Sequence, residues 1–250
     1  MSSEQIIGLL IVLFSAGGIL YYTYLKPGEI RRRKLRKIPA VNRMIRAVSL
    51  SVEDGSRVHV SLGKGDLTET TNPSGSAGLD TLNWVAQLGA SSDQPPVCTS
   101  GNGGLTLLSQ DVLSASAGEP DARKPALSHE GLLAGVDPLS YALGTTAMMR
   151  DPGVHTNLLI GNYGPEAAFL TSTAENVDTI VIGTSDSITG QSVIIATTRD
   201  MLIGEELYAI PAYLTGQPAF LASLRVQDLL RLLIGAALTI GAVLGVLGIL

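Results

Sequence analysis

Two stretches of the chain carry no charge. From Ile6 to Leu25 every residue is apolar or neutral, and a helix rising about 1.5 Å per residue over that length reaches about 30 Å, the thickness of a bilayer's hydrocarbon core. Leu232 to Leu250 repeats the pattern and reaches about 28 Å. Both are expected to be transmembrane helices. No Lys or Arg precedes Lys26, and Tyr21, Tyr22 and Tyr24 close the first stretch at headgroup level, so it reads as a retained anchor rather than a cleaved leader. From Pro218 the helical pattern runs without a break into the second span.

Between the spans the pattern alternates. Ala47 to Val52 and Arg57 to Leu62 each alternate apolar and polar residues around Glu53-Asp54-Gly55-Ser56, which predicts a β-hairpin. A polar loop, Gly63 to Gly75, leads to Leu79, Leu82, Val85 and Ala86 at helical spacing, stopped by Gly89. Pro96 to Thr99 reads as a short strand. The turn Ser100-Gly101-Asn102-Gly103-Gly104 then feeds a helix with Leu105, Leu108, Val112 and Ala115 on its apolar face, stopped by Gly118 and Pro120.

Asp137 and Pro138 open a further helix running to about Met149. Asn157 to Ile160 is strand-like, Gly161 to Gly164 a turn, and Pro165 with Glu166 starts a helix ending near Asn176. Thr179 to Ile182 is the next strand, Gly183 to Gly190 the next turn, and Ser192 to Ala196 another apolar, β-branched run. Strands alternating with helices predict an α/β fold with a parallel or mixed, Rossmann-like sheet. The expected organisation is a first membrane helix over 1–25, a basic juxtamembrane segment over 26–46, an α/β domain over 47–217, and a helix over 218–250 that becomes the second span.

Charge gives this plan an orientation. Arg31, Arg32, Arg33, Lys34, Arg36 and Lys37, with Lys26, crowd behind the first span, and such residues stay on the cytoplasmic side. The expectation is a two-pass protein of the inner membrane with both termini outside and the main domain cytoplasmic. The basic run would meet anionic lipid headgroups. Between Ala47 and Leu224, six basic residues stand against nineteen acidic ones; nucleic-acid binding needs a basic face, so that class is excluded. Only 16% of the chain is charged and 45% is hydrophobic, where soluble domains are about 25% charged. The single cysteine, Cys98, forms no intrachain disulfide, and three scattered histidines indicate no metal site. The identity of any cofactor is unknown from the sequence.

The candidate chemistry sits in three glycine-rich turns at strand-to-helix junctions, where open α/β sheets place ligands. Their residues are Ser100, Gly101, Asn102, Gly103 and Gly104; Gly161, Asn162 and Gly164; and Gly183, Ser185 and Asp186. Neither nucleotide motif is complete. Thr106 stands where the dinucleotide fingerprint needs its third glycine, and Gly63-Lys64 is followed by Gly65 where a P-loop needs Ser or Thr. Gly183-Thr184-Ser185-Asp186-Ser187 lacks the closing glycine of a nucleophile elbow, and His59, His129 and His155 lie in separate segments. His129-Glu130 lacks a zinc helix's second histidine, and Glu205 with Glu206 reads as a helix's acidic first turn. In the second span Ala237, Gly241, Gly245 and Gly248 form a small-residue stripe suited to close helix packing.

Six segments carry a resemblance: RVHVSLGKG from Arg57, PPVCTSGNG from Pro95, NLLIGNYGPE from Asn157, SDSITGQ from Ser185, LIGEELYA from Leu202 and LRVQDLLR from Leu224. They resemble a bacterial membrane-protein family with a domain of unknown function. The resemblance covers nearly the whole central domain and the entry to the second span; it implies the architecture and no activity. The leading expectation is a membrane-anchored scaffold that self-associates. A membrane-tethered enzyme or small-ligand sensor using the glycine turns, and an accessory subunit of a transporter bound to another membrane protein, are the alternatives.

Overall fold

The computed structural model describes residues 3–25, 35–65, 73–90, 92, 94–116 and 131–247. It divides into two compact units, Met1–Arg36 with Thr215–Leu250, and Lys37–Leu214.

The first unit contains α1 (Ser3–Leu20), which ends in a π-helical turn over Tyr21–Leu25, and a long helix, Pro218–Val246. Both helices are long and apolar enough to cross a membrane, with mean hydropathy 2.0 over Gln5–Tyr24 and 2.2 over Pro218–Val246. They pack together where Gly18 faces Val226; a Cβ on Gly18 would come within 2.9 Å of that side chain. Small size at this point lets the backbones approach. Two hydroxyls inside the helices are satisfied locally: Ser15 Oγ donates to Ile11 O at 2.7 Å and Thr239 Oγ1 to Gly235 O at 2.8 Å.

The second unit begins with α2 (Pro39–Glu53), followed by β1 (Arg57–Gly63), α3 (Ser74–Gly89), β2 (Val97–Ser100), α4 (Gly103–Ser116), β3 (Gly131–Leu133) and α5 (Pro138–Met149). It continues through β4 (Val154–Asn162), α6 (Ala167–Asn176), β5 (Ile180–Ser185), α7 (Ile188–Thr197), β6 (Asp200–Met201) and α8 (Glu206–Thr215). The helix Pro218–Val246 is therefore α9. All six strands are parallel, in the order β3-β2-β1-β4-β5-β6. The expected α/β class holds, and the sheet is wholly parallel. Its strand order is that of doubly wound dinucleotide-binding sheets, with the winding reversing between β1 and β4.

Opposite faces of the strands pack on different helices. Val58, Val60 and Leu62 of β1, with Leu158 and Ile160 of β4, share a core with α2, α3, α4 and α8; Leu159 joins Tyr141, Met149, Leu170 and Ile194 from α5, α6 and α7. Gly78 brings α3 onto the sheet, since a Cβ there would lie 2.7 Å from Ile160 O.

Two local expectations are corrected. Ala47 to Val52 is the end of α2 rather than a hairpin strand. Ala40, Val41, Met44, Ala47, Val48 and Ser51 are buried at helical spacing, and Gly55, at φ +67°, turns the chain into β1. Ser192 to Ala196 lies in α7, not in an extended run, with Gly190, Gln191 and Ile194 as its buried residues. Packing of one helical face overrides β propensity there.

Candidate functional site

The strand order sets the carboxyl ends of β3, β2, β1, β4 and β5 side by side, and the turns continue the ladder beyond the strands. Ala134 N–H donates to Ser100 O at 3.0 Å, Gly101 N–H to Gly63 O at 2.8 Å, Lys64 N–H to Asn162 O at 2.9 Å and Asp186 N–H to Gly161 O at 3.4 Å. Two glycines make this approach possible. Gly63 holds φ +69°, and a Cβ on Gly161 would overlap the Leu62 carbonyl.

The three glycine turns are thus neighbours along one edge, but their polar groups are largely turned inward. Asn102 Oδ1 accepts from Gly104 N–H at 2.8 Å and Leu105 N–H at 3.3 Å, capping α4. Ser100 Oγ is 2.6 Å from Thr106 Oγ1, and Gly101 is buried between Lys64 and Tyr141. Gly103 lies open in the first turn of α4. Gly164 N–H donates to Glu166 Oε1 at 2.9 Å, and Asn162 Nδ2 donates to Asp186 Oδ1 at 2.7 Å. Gly183 packs inside β5 against Ile194. Ser185 Oγ accepts from Tyr163 N–H at 3.0 Å and from Ser187 N–H at 3.2 Å. Among the described residues, the Asp186 Oδ2 and Ser74 Oγ atoms are buried without a hydrogen-bond partner.

Beneath this edge lies a polar layer whose partners are far apart in the chain. His59 Nδ1 is 2.9 Å from Asn157 Oδ1 and Nε2 is 2.8 Å from Thr99 Oγ1. Asn157 Nδ2 donates to Thr179 Oγ1 at 3.0 Å; this turns Oδ1 toward the ring and assigns the proton to Nδ1, leaving Nε2 to accept from Thr99. Burial drives His59 down to about 4 against the hydrogen bond to Asn157, so the ring is neutral. Nearer the edge, Tyr163 Oη donates to Ser61 O at 2.6 Å, Gly63 N–H donates to Tyr141 Oη at 3.0 Å, and the Tyr141 hydroxyl also bonds Ser61. Burial raises both phenols above their ordinary value. Burial also pushes the Cys98 thiol up to about 12. His59 is committed to this layer and does not serve Ser185.

An ion pair at this edge joins two elements. Lys64 Nζ, just beyond β1, lies 2.8 Å from Glu166 Oε1, just before α6. Burial pushes the Glu166 carboxyl up, but Lys64 and the Gly164 N–H outweigh it, and the net direction is below its ordinary value. The pair borders an open groove of about 380 Å³ walled by Pro138, Leu139, Pro165 and Phe169. Sequence reasoning tested Lys64 only against the P-loop pattern and took Glu166 as a first-turn acid; their pairing depends on β1 lying beside β4. Among the described residues no group of three His, Cys, Asp or Glu is arranged to hold a metal.

The remaining candidates lie in the first unit or near its boundary. Arg36 and Lys37 are exposed, whereas Arg31, Arg32, Arg33, Lys34 and Gly248 fall outside the described residues. Ala237, Gly241 and Gly245 lie on α9, and a Cβ on Gly241 or Gly245 would meet nothing within 4 Å.

No curated protein and no solved structure matches the chain. A family model does match, over residues 1–250, and the chain belongs to that family, described as a domain of unknown function, DUF6754.

Proposed function

We propose that the protein is a membrane-anchored structural module that assembles with further copies of itself through its spans. The observation that carries this reading is the open face of α9: Gly18 of α1 is covered by Val226, but a Cβ on Gly241 or Gly245 would meet nothing within 4 Å among the described residues. Small faces left open in an apolar helix suit a second helix at close range. The inward hydrogen bonding of the glycine turns supports the same reading, because Gly104, Leu105 and Gly164 N–H are taken up by Asn102 and Glu166 side chains rather than left for a phosphate. The charge pattern favours a two-pass arrangement in a bacterial inner membrane, with termini outside, the acidic domain cytoplasmic and the basic segment on anionic lipid.

The test is the particle mass of the full chain in lipid nanodiscs or mild detergent. A discrete oligomer that Gly241→Ile and Gly245→Ile dissociate is the expected result; a monomer at every workable concentration overturns it. A second reading, a membrane-tethered ligand-binding sensor, is favoured by the reversal of strand order between β1 and β4, the place where open α/β sheets hold ligands.

A further inference from the structure

We propose that the groove beside Lys64 and Glu166 is a binding site for a small organic anion with an apolar body, a proposal that rests on the sensor reading and not on self-association. The groove lies at the carboxyl ends of β1 and β4, where the winding reverses. Its volume, about 380 Å³, falls within the range of small-molecule sites.

The walls and the floor ask for different halves of one ligand. Pro138, Leu139, Pro165 and Phe169 give apolar walls, and Leu139 and Phe169 are 55% and 52% exposed; covering them is favourable for an aliphatic or aromatic body. At the floor, an ammonium can donate three hydrogen bonds, and Lys64 gives one to Glu166 Oε1. Glu166 is engaged by Lys64 and by Gly164 N–H, so it is the less available member of the pair. The amino-terminal turns of α5 and α6 border the same space, but Asp137 and Glu166 already meet their positive ends, which leaves the Lys64 ammonium as the cationic group of the groove. A carboxylate or similar monoanion therefore has a seat on Lys64 with its body between Leu139 and Phe169. Gly104, Leu105 and Gly164 N–H are already bonded to Asn102 and Glu166 side chains, which puts the recognition on the body of the ligand rather than on a polyphosphate. The acidic field of the domain is screened beyond about 8 Å at physiological salt and bears on arrival more than on the seat.

The test uses the full chain in zwitterionic nanodiscs, titrated with hexanoate and benzoate by calorimetry, with hexanol and inorganic phosphate as half-ligand controls. Hexanoate or benzoate should bind saturably, at least about tenfold more tightly than either control. Phe169→Ala, a change at an exposed position, and Lys64→Met should each weaken binding at least about tenfold, with native circular dichroism retained in the Phe169 variant. No saturable binding up to about 10 mM overturns the proposal, as does binding that Phe169→Ala leaves unchanged. Vesicles containing anionic lipid, added as competitor, separate the sources: displacement of hexanoate points to a lipid-derived anion, and no displacement to a soluble one, the site standing in both cases. Loss of the oligomer with binding intact, or the reverse, separates this proposal from self-association.

Discussion

The side chains of His59 and Asn157 meet at 2.9 Å inside the sheet, although ninety-eight positions separate them in the chain. With Thr99 and Thr179 they form a hydrogen-bonded line across β2, β1, β4 and the entry to β5. The neutral ring is essential to it, because protonation would put a charge in a fully buried layer.

That burial fixes a pH dependence. The folded ring titrates at about 4 and the unfolded one at 6.5, so the unfolded chain binds more protons between these values and stability falls as pH drops through that window. The loss attributable to His59 is about 3 kcal/mol by pH 4. Denaturant unfolding of the full chain from pH 7.5 to 4 should show it, and His59→Gln should flatten that portion of the curve. An equal slope in the variant would assign the dependence to other groups.

Gly161→Ala should be severe. The added Cβ would overlap the Leu62 carbonyl, a backbone atom in the centre of the sheet, and the expected cost is at least about 2 kcal/mol. Gly103→Ala is the matched control: nothing lies within 4 Å of its Cβ site in the first turn of α4, and alanine there should be neutral or stabilising by about 0.5 kcal/mol. Melting temperatures of the two variants check the contrast.

Glu166→Gln should destabilise the protein by about 1–3 kcal/mol above pH 5, by leaving Lys64 without its charged partner. The folded carboxyl titrates below its ordinary 4.5, so its contribution is present above that value and is lost as pH falls through the lower folded one. Wild type and variant should therefore converge in acid, as read from paired denaturation curves.

Cys98 should resist alkylation in the native state. A thiol held at about 12 is almost entirely protonated at pH 8, and only thiolate reacts. Iodoacetamide labelling followed by mass spectrometry should be slow without denaturant and fast with it.

Much of the architecture was legible because its signals are local. Gly89 ends α3, Asp137 and Pro138 open α5, and uncharged length marks α1 and α9. The first strand misled for a physical reason: Arg57 to Leu62 alternates as a half-exposed hairpin strand does, yet both its faces are buried. Its polar members, His59 and Ser61, meet side chains rather than water, and those partners lie far along the chain. The window at Ala47 was misread because it omitted Val41 and Met44, which complete the helical spacing. The glycine turns were visible as turns, but the direction of their hydrogen bonds was not. Lys64 with Glu166 needed the strand order, which no single segment contains.

The position of β1 also governs how the chain can fold during synthesis. It is hydrogen-bonded on one side to β2 and on the other to β4, with His59 opposite both Val97 and Asn157. A nascent chain that has not yet reached Val154 therefore holds its central strand with one long edge open. Such non-local pairing is slow and leaves an aggregation-prone intermediate. Truncations ending between β3 and β4 should thus be chaperone-dependent and insoluble, and the vulnerable interval in biogenesis closes only when β4 has emerged from the ribosome.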